Sequence, residues 1–259
     1  MSLVFAGAIS HAPGFTAWPH AADAAQRDPL YESASALRER LAAAQVDALV
    51  LLTSEHWTNF FLDHISAMVV GMAERYAGRV EPWLNIEKST VAGEPALAEA
   101  IVREAYADDI EVGFAHELVF DHGTMIRLHF LTPEMRTPVV PIVFNTLAPP
   151  QPSPRRCFAL GQAVGRAARG SGKRIGIVAT GGMSHDPGER GHGRIDDAFD
   201  RRFLSALEEG DAEWLRALPL AELTGRGAGT PELLAWIALA GAMGAFRGRT
   251  LTYQAVKPW

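Results

Sequence analysis

The segment Asp47-Ala48-Leu49-Val50-Leu51-Leu52-Thr53 is apolar from Ala48 through Leu52 and runs directly into Ser54-Glu55-His56. A strand with one wet face alternates apolar and polar residues. An unbroken run is the pattern of a strand covered on both faces, as in a parallel sheet between two layers of helices. Outward from it the same pattern recurs. Leu3–Ile9 is a short apolar run, and Ser33–Ala44 carries helix formers with Leu37 and Leu41 four apart on one face. Val139–Asn145 and Arg174–Thr180 are further apolar runs. Between them Ser153-Pro154 opens a helix that Gly170 closes, with Ser as cap, Pro in the first turn and Gly at the end. Helices are also predicted at Glu94–Ala107, at Ile195–Glu209 and at Pro231–Phe246 with Thr230 as its cap. Leu251–Val256 reads as a last strand and the proline-rich Leu147–Pro154 as a surface connection. Ile65–Trp83 stays open, since Met68–Met72 fits a strand or a short helix. The alternation of β and α predicts an α/β fold: a mostly parallel central sheet flanked by helices, with the active site at the carboxyl ends of the strands. A single domain spanning 1–259 is the simplest division, two domains the alternative.

Composition narrows the function classes. The longest apolar runs fall far short of the roughly 20 residues of a membrane span, and no basic leader precedes the first strand, so a cytoplasmic protein is expected. Cys157 is the only cysteine, which excludes an intrachain disulfide and a cysteine-based zinc cluster and suits a reducing compartment. The formal charge of −6 is spread along the chain without a basic stripe, so nucleic acid is not an expected partner.

Nine histidines stand out. Four of them lie just beyond strand-like runs: His11 after Leu3–Ile9, His56 after Ala48–Thr53, His122 after Leu118–Phe120, and His185 after Ile175–Thr180 and a Gly-Gly turn. Residues that follow different strands of an open parallel sheet can converge on one rim. Each alone has an ordinary explanation as a loop histidine bonded to backbone. His20, His64, His116, His129 and His192 lack the placement and read as surface or structural. Two imidazoles and a carboxylate on one face leave positions open for substrate and oxygen, the arrangement of non-haem iron(II) oxygenases, and His11 and His56 suit the imidazole role. Spacing selects no carboxylate among the thirty acids; Glu232, early in its helix, is explained at this level by the helix dipole. Phe15, Trp18, Trp57, Phe60 and Phe61 are candidates to line a pocket for a ring, although core packing accounts for most such residues. Arg127 is the candidate partner for a substrate carboxylate. No phosphate-binding glycine loop and no Gly-x-Ser-x-Gly elbow occurs, which argues against nucleotide chemistry and, with Ser184 merely adjacent to His185, against a serine hydrolase.

Five segments change the weighting. Ser10-His11-Ala12-Pro13, Ser54-Glu55-His56-Trp57-Thr58-Asn59-Phe60-Phe61, Asp121-His122-Gly123-Thr124, Gly181-Gly182-Met183-Ser184-His185-Asp186-Pro187 and Thr230-Pro231-Glu232-Leu233-Leu234-Ala235-Trp236 occur in this order. With Arg155–Gly161 and Ile195–Leu204, they resemble the class III extradiol ring-cleavage dioxygenases, the family of the protocatechuate 4,5-dioxygenase β subunit. The resemblance implies that His11, His56 and Glu232 hold Fe(II), that His185 is the acid/base histidine, and that His122 is a second pocket histidine. It implies a small aromatic diol, of the protocatechuate or gallate type, and O2 as substrates. This chain is shorter than the β subunit and shows nothing like the small α subunit that covers that enzyme's site. A homo-oligomer is expected, with room for a small accessory subunit. The rival readings are a zinc-dependent hydrolase on the same donor set and a metal-binding or interaction protein without turnover.

Overall fold

Four parallel strands carry the site. In the computed structural model, which describes residues 2–188 and 190–259, β1 (Leu3–Ile9) leads through α1 (Ala24–Ala43) to β2 (Ala48–Ser54). After β2 come the short strands β3 (Met68–Gly71), β4 (Arg75–Gly78) and β5 (Ser89–Ala92), then α2 (Pro95–Ala107), β6 (Gly113–Ala115), β7 (Val119–Phe120) and α3 (His122–Leu131). The remainder is β8 (Val139–Phe144), α4 (Pro154–Gly170), β9 (Ile175–Thr180), α5 (Asp197–Glu209), α6 (Ala212–Ala217), α7 (Leu220–Thr224) and α8 (Leu233–Met243). The central sheet runs β1-β9-β2-β8-β3-β6, with β1, β9, β2 and β8 parallel and β3 antiparallel to β8. This is the expected α/β class with a mostly parallel sheet flanked by helices.

The all-apolar β2 sorts by parity, as the pleat requires. Ala48, Val50 and Leu52 enter the core shared with α2, α4 and α8, whereas Leu49 and Leu51 enter the core shared with α1 and α3. On the first face α8 is pressed against α4 through glycines: a Cβ at Gly161 would lie 1.9 Å from the Ala238 carbonyl oxygen, and one at Gly241 would lie 2.1 Å from that of Phe158. Backbones that close let α8 present its first turn, with Glu232, to the carboxyl ends of the strands.

One open stretch is resolved and three local expectations are corrected. The open stretch resolves into β3, β4 and the 3-10 turn Pro82–Leu84, and β5-β4-β7 form a second, three-stranded sheet that the apolar patterning does not disclose, because its strands are only two to four residues long. The first helix begins at Ala24 rather than Ser33 and accommodates Pro29. Thr230 opens a 3-10 turn, Thr230–Glu232, ahead of α8 and its hydroxyl caps nothing; α8 ends at Met243 because Gly244 turns to φ +72°. Leu251–Val256 joins no ladder. It is held by side chains instead: Tyr253 donates to Asp200, and Gln26 donates to the carbonyl of Ala255.

Candidate metal centre

His11, His56 and His185 follow β1, β2 and β9, three strands of one sheet, and so reach one rim. His122 arrives differently, as the first residue of α3 after β7 of the small sheet. Glu232 comes in from the turn before α8. Glu232 is nearly fully buried, with Oε2 3.2 Å from His11 Nε2 and Oε1 3.4 Å from His56 Nε2. His185 Nε2 lies 3.8 Å from the same Oε1, and the His122 ring is 4.1 Å from that of His56. All five sequence candidates therefore meet in one place.

The opposite ring nitrogens fix the tautomers. Thr180 Oγ1 lies 3.0 Å from His11 Nδ1, and the Thr180 hydroxyl is itself placed to donate to the Gly123 carbonyl at 3.1 Å. Asp121 Oδ2 accepts from His56 Nδ1 at 2.9 Å, and Glu81 Oε1 accepts from His122 Nδ1 at 2.7 Å. The Met183 carbonyl accepts from His185 Nδ1 at 2.7 Å. A carbonyl or carboxylate in that position requires a proton on Nδ1, so Nε2 of a neutral ring carries the lone pair. For His11 that lone pair faces Glu232, whereas His56 Nε2, 3.4 Å from Glu232 Oε1, is placed to donate to it in the metal-free site. His11 Nε2, although buried and close to the carboxylate, has no hydrogen-bond partner. An orphaned buried nitrogen beside a buried anion, with a second imidazole opposite, fits a divalent cation of intermediate hardness.

The electrostatics of the metal-free site set the two imidazoles apart: His11 is neutral, and His56 carries a proton that a cation would have to displace. Burial holds His11 down to about 4, against the pull of Glu232, so it stays neutral as a ligand must. Burial also opposes charging of His56, but the carboxylates of Asp121 and Glu232 outweigh it and push His56 up to about 10. Burial acts against the Glu232 anion as well, yet His11, His185 and His56 keep it ionised, well below the ordinary glutamate value. A second grouping is present: nitrogens of His11, His56 and His122 lie within 4.8 Å of one another. Glu232 is the better third donor, because its charge is buried between the two imidazoles whereas His122 already has Glu81.

A family model for the catalytic LigB subunit of aromatic ring-opening dioxygenase matches residues 6–259. The chain belongs to this family. It is 27% identical to a 2,3-dihydroxyphenylpropionate/2,3-dihydroxicinnamic acid 1,2-dioxygenase of Cupriavidus necator, over 87% of this chain and 86% of that protein. A protein of the same name from Burkholderia vietnamiensis is 28% identical, over 86% and 84%. An uncharacterized protein of Escherichia coli K12 of known structure superposes with a TM-score of 0.54 at 20% identity, covering 82% of this chain and 81% of that one, which bears on the fold alone.

Other expectations for this LigB-family chain are corrected. Arg127 does not line the cavity at the metal centre. Five residues after His122 on α3, it points to nearly the opposite side of the helix, where it is fully buried with its guanidinium 4.2 Å over the ring of Phe15. Of the aromatics, Phe15 and Trp18 line the cavity; Trp57 and Phe61 are exposed, and Phe60 packs against the core on the α1 and α3 side. His192 lines the cavity although its position after no strand predicts nothing of the kind. Ser184 is structural: its hydroxyl donates to Asp200 and accepts from the backbone of Asp196. Unforeseen are the residues behind the histidines, Thr180, Asp121 and Glu81. Gly229 is another: a Cβ there would lie 2.1 Å from His185 Nε2. Asp121 had a signal, its place within the Asp121–Thr124 segment. Glu81, brought in from the loop after the small sheet's β4, had none.

Proposed function

We propose that the chain is an extradiol dioxygenase that opens an aromatic diol beside its two hydroxyls, inserting both atoms of O2, at an iron(II) ion held by His11, His56 and Glu232. The observation that carries the proposal is the convergence of two imidazole nitrogens on one buried carboxylate, next to a large cavity. Iron(II) bound there would supply the electron exchange by which ground-state dioxygen reacts with a diol, and would acidify a coordinated hydroxyl.

The chain's own residues account for the protons. His185, with Nδ1 tied to the Met183 carbonyl, offers the Nε2 lone pair as base for the second hydroxyl and returns that proton later in turnover. His122, with Nδ1 tied to Glu81, keeps Nε2 for a hydrogen bond to a substrate oxygen. Trp18 and Trp83 line the cavity on the His122 side and restrict water. A site that only held a metal has no use for two further histidines set this way, which favours turnover over passive binding. No helix among the described residues is long and apolar enough to cross a membrane; a cytoplasmic setting and a symmetric homo-oligomer complete the proposal.

The test is to purify the protein without oxygen, load it with iron(II), and follow oxygen uptake and absorbance as aromatic diols are added. A yellow, pH-sensitive ring-opened product with one O2 consumed per diol is expected, and none from zinc-loaded protein or His11→Ala. Equal product from zinc-loaded protein would overturn the iron assignment. Failure of iron to bind while the fold is intact would overturn the site.

A further inference from the structure

The cavity beside the metal centre has a volume of about 920 Å³. Pockets of roughly 300–1,000 Å³ enclose drug-sized molecules, so this one is far larger than a single diol ring requires. Its length follows from the helices. The strands' carboxyl ends lie at the metal centre, and α1 runs back from there: Arg174, just before β9, donates to the Ala44 carbonyl at the end of α1, at the opposite edge of the sheet. From α1 the cavity is lined by Leu30, Ser33, Leu37 and Arg40, one residue per turn. α8 follows directly on Glu232 and contributes Trp236, Leu239 and Met243. α5 begins near the site, where Asp200 accepts from the Ser184 amide, and contributes Leu204 and Leu207. Three helical stripes thus run away from the metal together. From Glu232 to Met243 the rise of 1.5 Å per residue makes the path roughly 16 Å long.

The middle of this path is apolar and its far end is cationic. Arg40 closes the α1 stripe. Arg247 and Arg249 flank Gly248, whose amide donates to the Leu207 carbonyl at the end of the α5 stripe. The three arginines are exposed and none forms an ion pair with another described residue; Glu208, the acid at that end, accepts from the amide of Thr250 and keeps its negative charge, so three cations stand against one anion. Three cations at the end of an apolar channel favour an anion there.

Resting on the ring-cleavage reading above, we infer that the substrate is an aromatic diol bearing an apolar arm at least one further ring long, with an acidic group at its far end. A diol ring with only a short acid such as propionate stops before the arginines. The arm lies among Leu37, Leu204, Leu207 and Leu239, and the acid meets Arg247, Arg249 and Arg40.

Steady-state kcat/KM of the iron-loaded protein decides it, with catechol, 2,3-dihydroxyphenylpropionate, 2,3-dihydroxybiphenyl and the same biphenyl carrying a carboxylate on its distal ring. The expected order rises along that series, the last exceeding catechol by at least about a hundredfold. Leu207→Trp narrows the channel and is expected to lower kcat/KM for the two biphenyls about tenfold or more relative to that for catechol. The double variant Arg247→Gln with Arg249→Gln is expected to weaken only the carboxylated biphenyl. A flat series overturns the inference, as does a tryptophan variant that leaves the series unchanged but alters the oligomeric state, since a second copy then fills the channel. Anaerobic binding, read by quenching of tryptophan fluorescence, separates this from the ring-cleavage reading. If no diol is cleaved and the carboxylated biphenyl still binds about tenfold tighter than catechol, the reaction is wrong and the channel assignment stands; equal affinities sink the channel assignment.

Discussion

His56 depends on Asp121 for its orientation, its tautomer and its charge. Partners of this kind behind a ligating histidine typically contribute 10–100-fold in metal affinity. Asp121→Asn, which keeps the shape but loses the charge, is therefore expected to weaken iron(II) binding by about that factor, measured by competition with a chromogenic chelator; unchanged affinity would remove Asp121 from the site. The pair also sets a pH dependence in the metal-free protein. His56, raised to about 10 when folded, contributes stability that is complete below its unfolded value of about 6.5 and is lost as the pH rises toward 10. Asp121, lowered to about 2 by His56 against its own burial, contributes stability lost only as the pH falls through about 2. His11, lowered to about 4, works against stability as the pH falls below 6.5. The limb from pH 6.5 to about 8 thus reports on the pair: the Tm of the metal-free protein should decline across it and Asp121→Asn should flatten that decline, before Arg127, held down to about 9 by burial, and Cys157, pushed up by burial, titrate as well. Gly229 acts on His185 by absence. Gly229→Ala must displace the ring, so kcat should fall by about tenfold or more at unchanged iron content; loss of iron in parallel would make Gly229 a general structural residue. Of the site, the histidines were legible because strand ends are legible, and the assignment of Glu232 needed the family resemblance. Thr180 and Glu81 were not, since a threonine ending a strand and a glutamate in a loop look ordinary until the fold brings histidine nitrogens to them.

Elements with long apolar patterns were read close to their true bounds: β1, β2, β8 and β9, and α4 with its Ser153 cap, whose hydroxyl accepts from the Arg156 amide. Of the short strands, β7 was legible within the strand-like run Leu118–Phe120 and β3 as one of two options, but β4 and β5 were not, because so short a stretch holds no period and they are defined by each other. The cost of that blindness falls on the site, for the loop after β4 delivers Glu81. α8 was legible as a helix, but its closeness to α4 was not, since glycines within a helical pattern read first as weak points. Here they are contact points. Gly161→Val is expected to force backbones apart at the Ala238 carbonyl and to lower stability by about 1–3 kcal/mol, measured by denaturant unfolding. Because α8 carries Glu232 at its start, iron affinity should fall with it; a destabilised variant with full affinity would show that the site does not depend on this packing.

At the scale of the whole molecule, β1 is the edge of the central sheet and pairs only with β9. The segment from Gly244 onward lines the cavity without forming a strand, so its order rests on a few anchors. Trp259 is the largest of them. Its ring lies 4.8 Å from that of Phe15 and 6.4 Å from that of Tyr31, and fills the space where Gly14 has no side chain. Gly14 and Phe15 follow His11 by only a few residues, so the anchor ties the roof of the cavity to the loop that carries this proposed metal ligand. An aromatic cluster of this size is worth about 1–3 kcal/mol, enough to shift the local opening equilibrium by one to two powers of ten. Trp259→Ala should therefore speed amide exchange about ten- to a hundredfold in residues 249–258 and in the loop 12–16, while β2 and β9 keep their protection. KM for diols should rise more than kcat changes, because the roof encloses substrate and takes no part in proton transfer. Exchange that quickened throughout the sheet would mean that Trp259 supports the core, and unchanged exchange in both segments would mean that Tyr253 and Gln26 hold the roof without it.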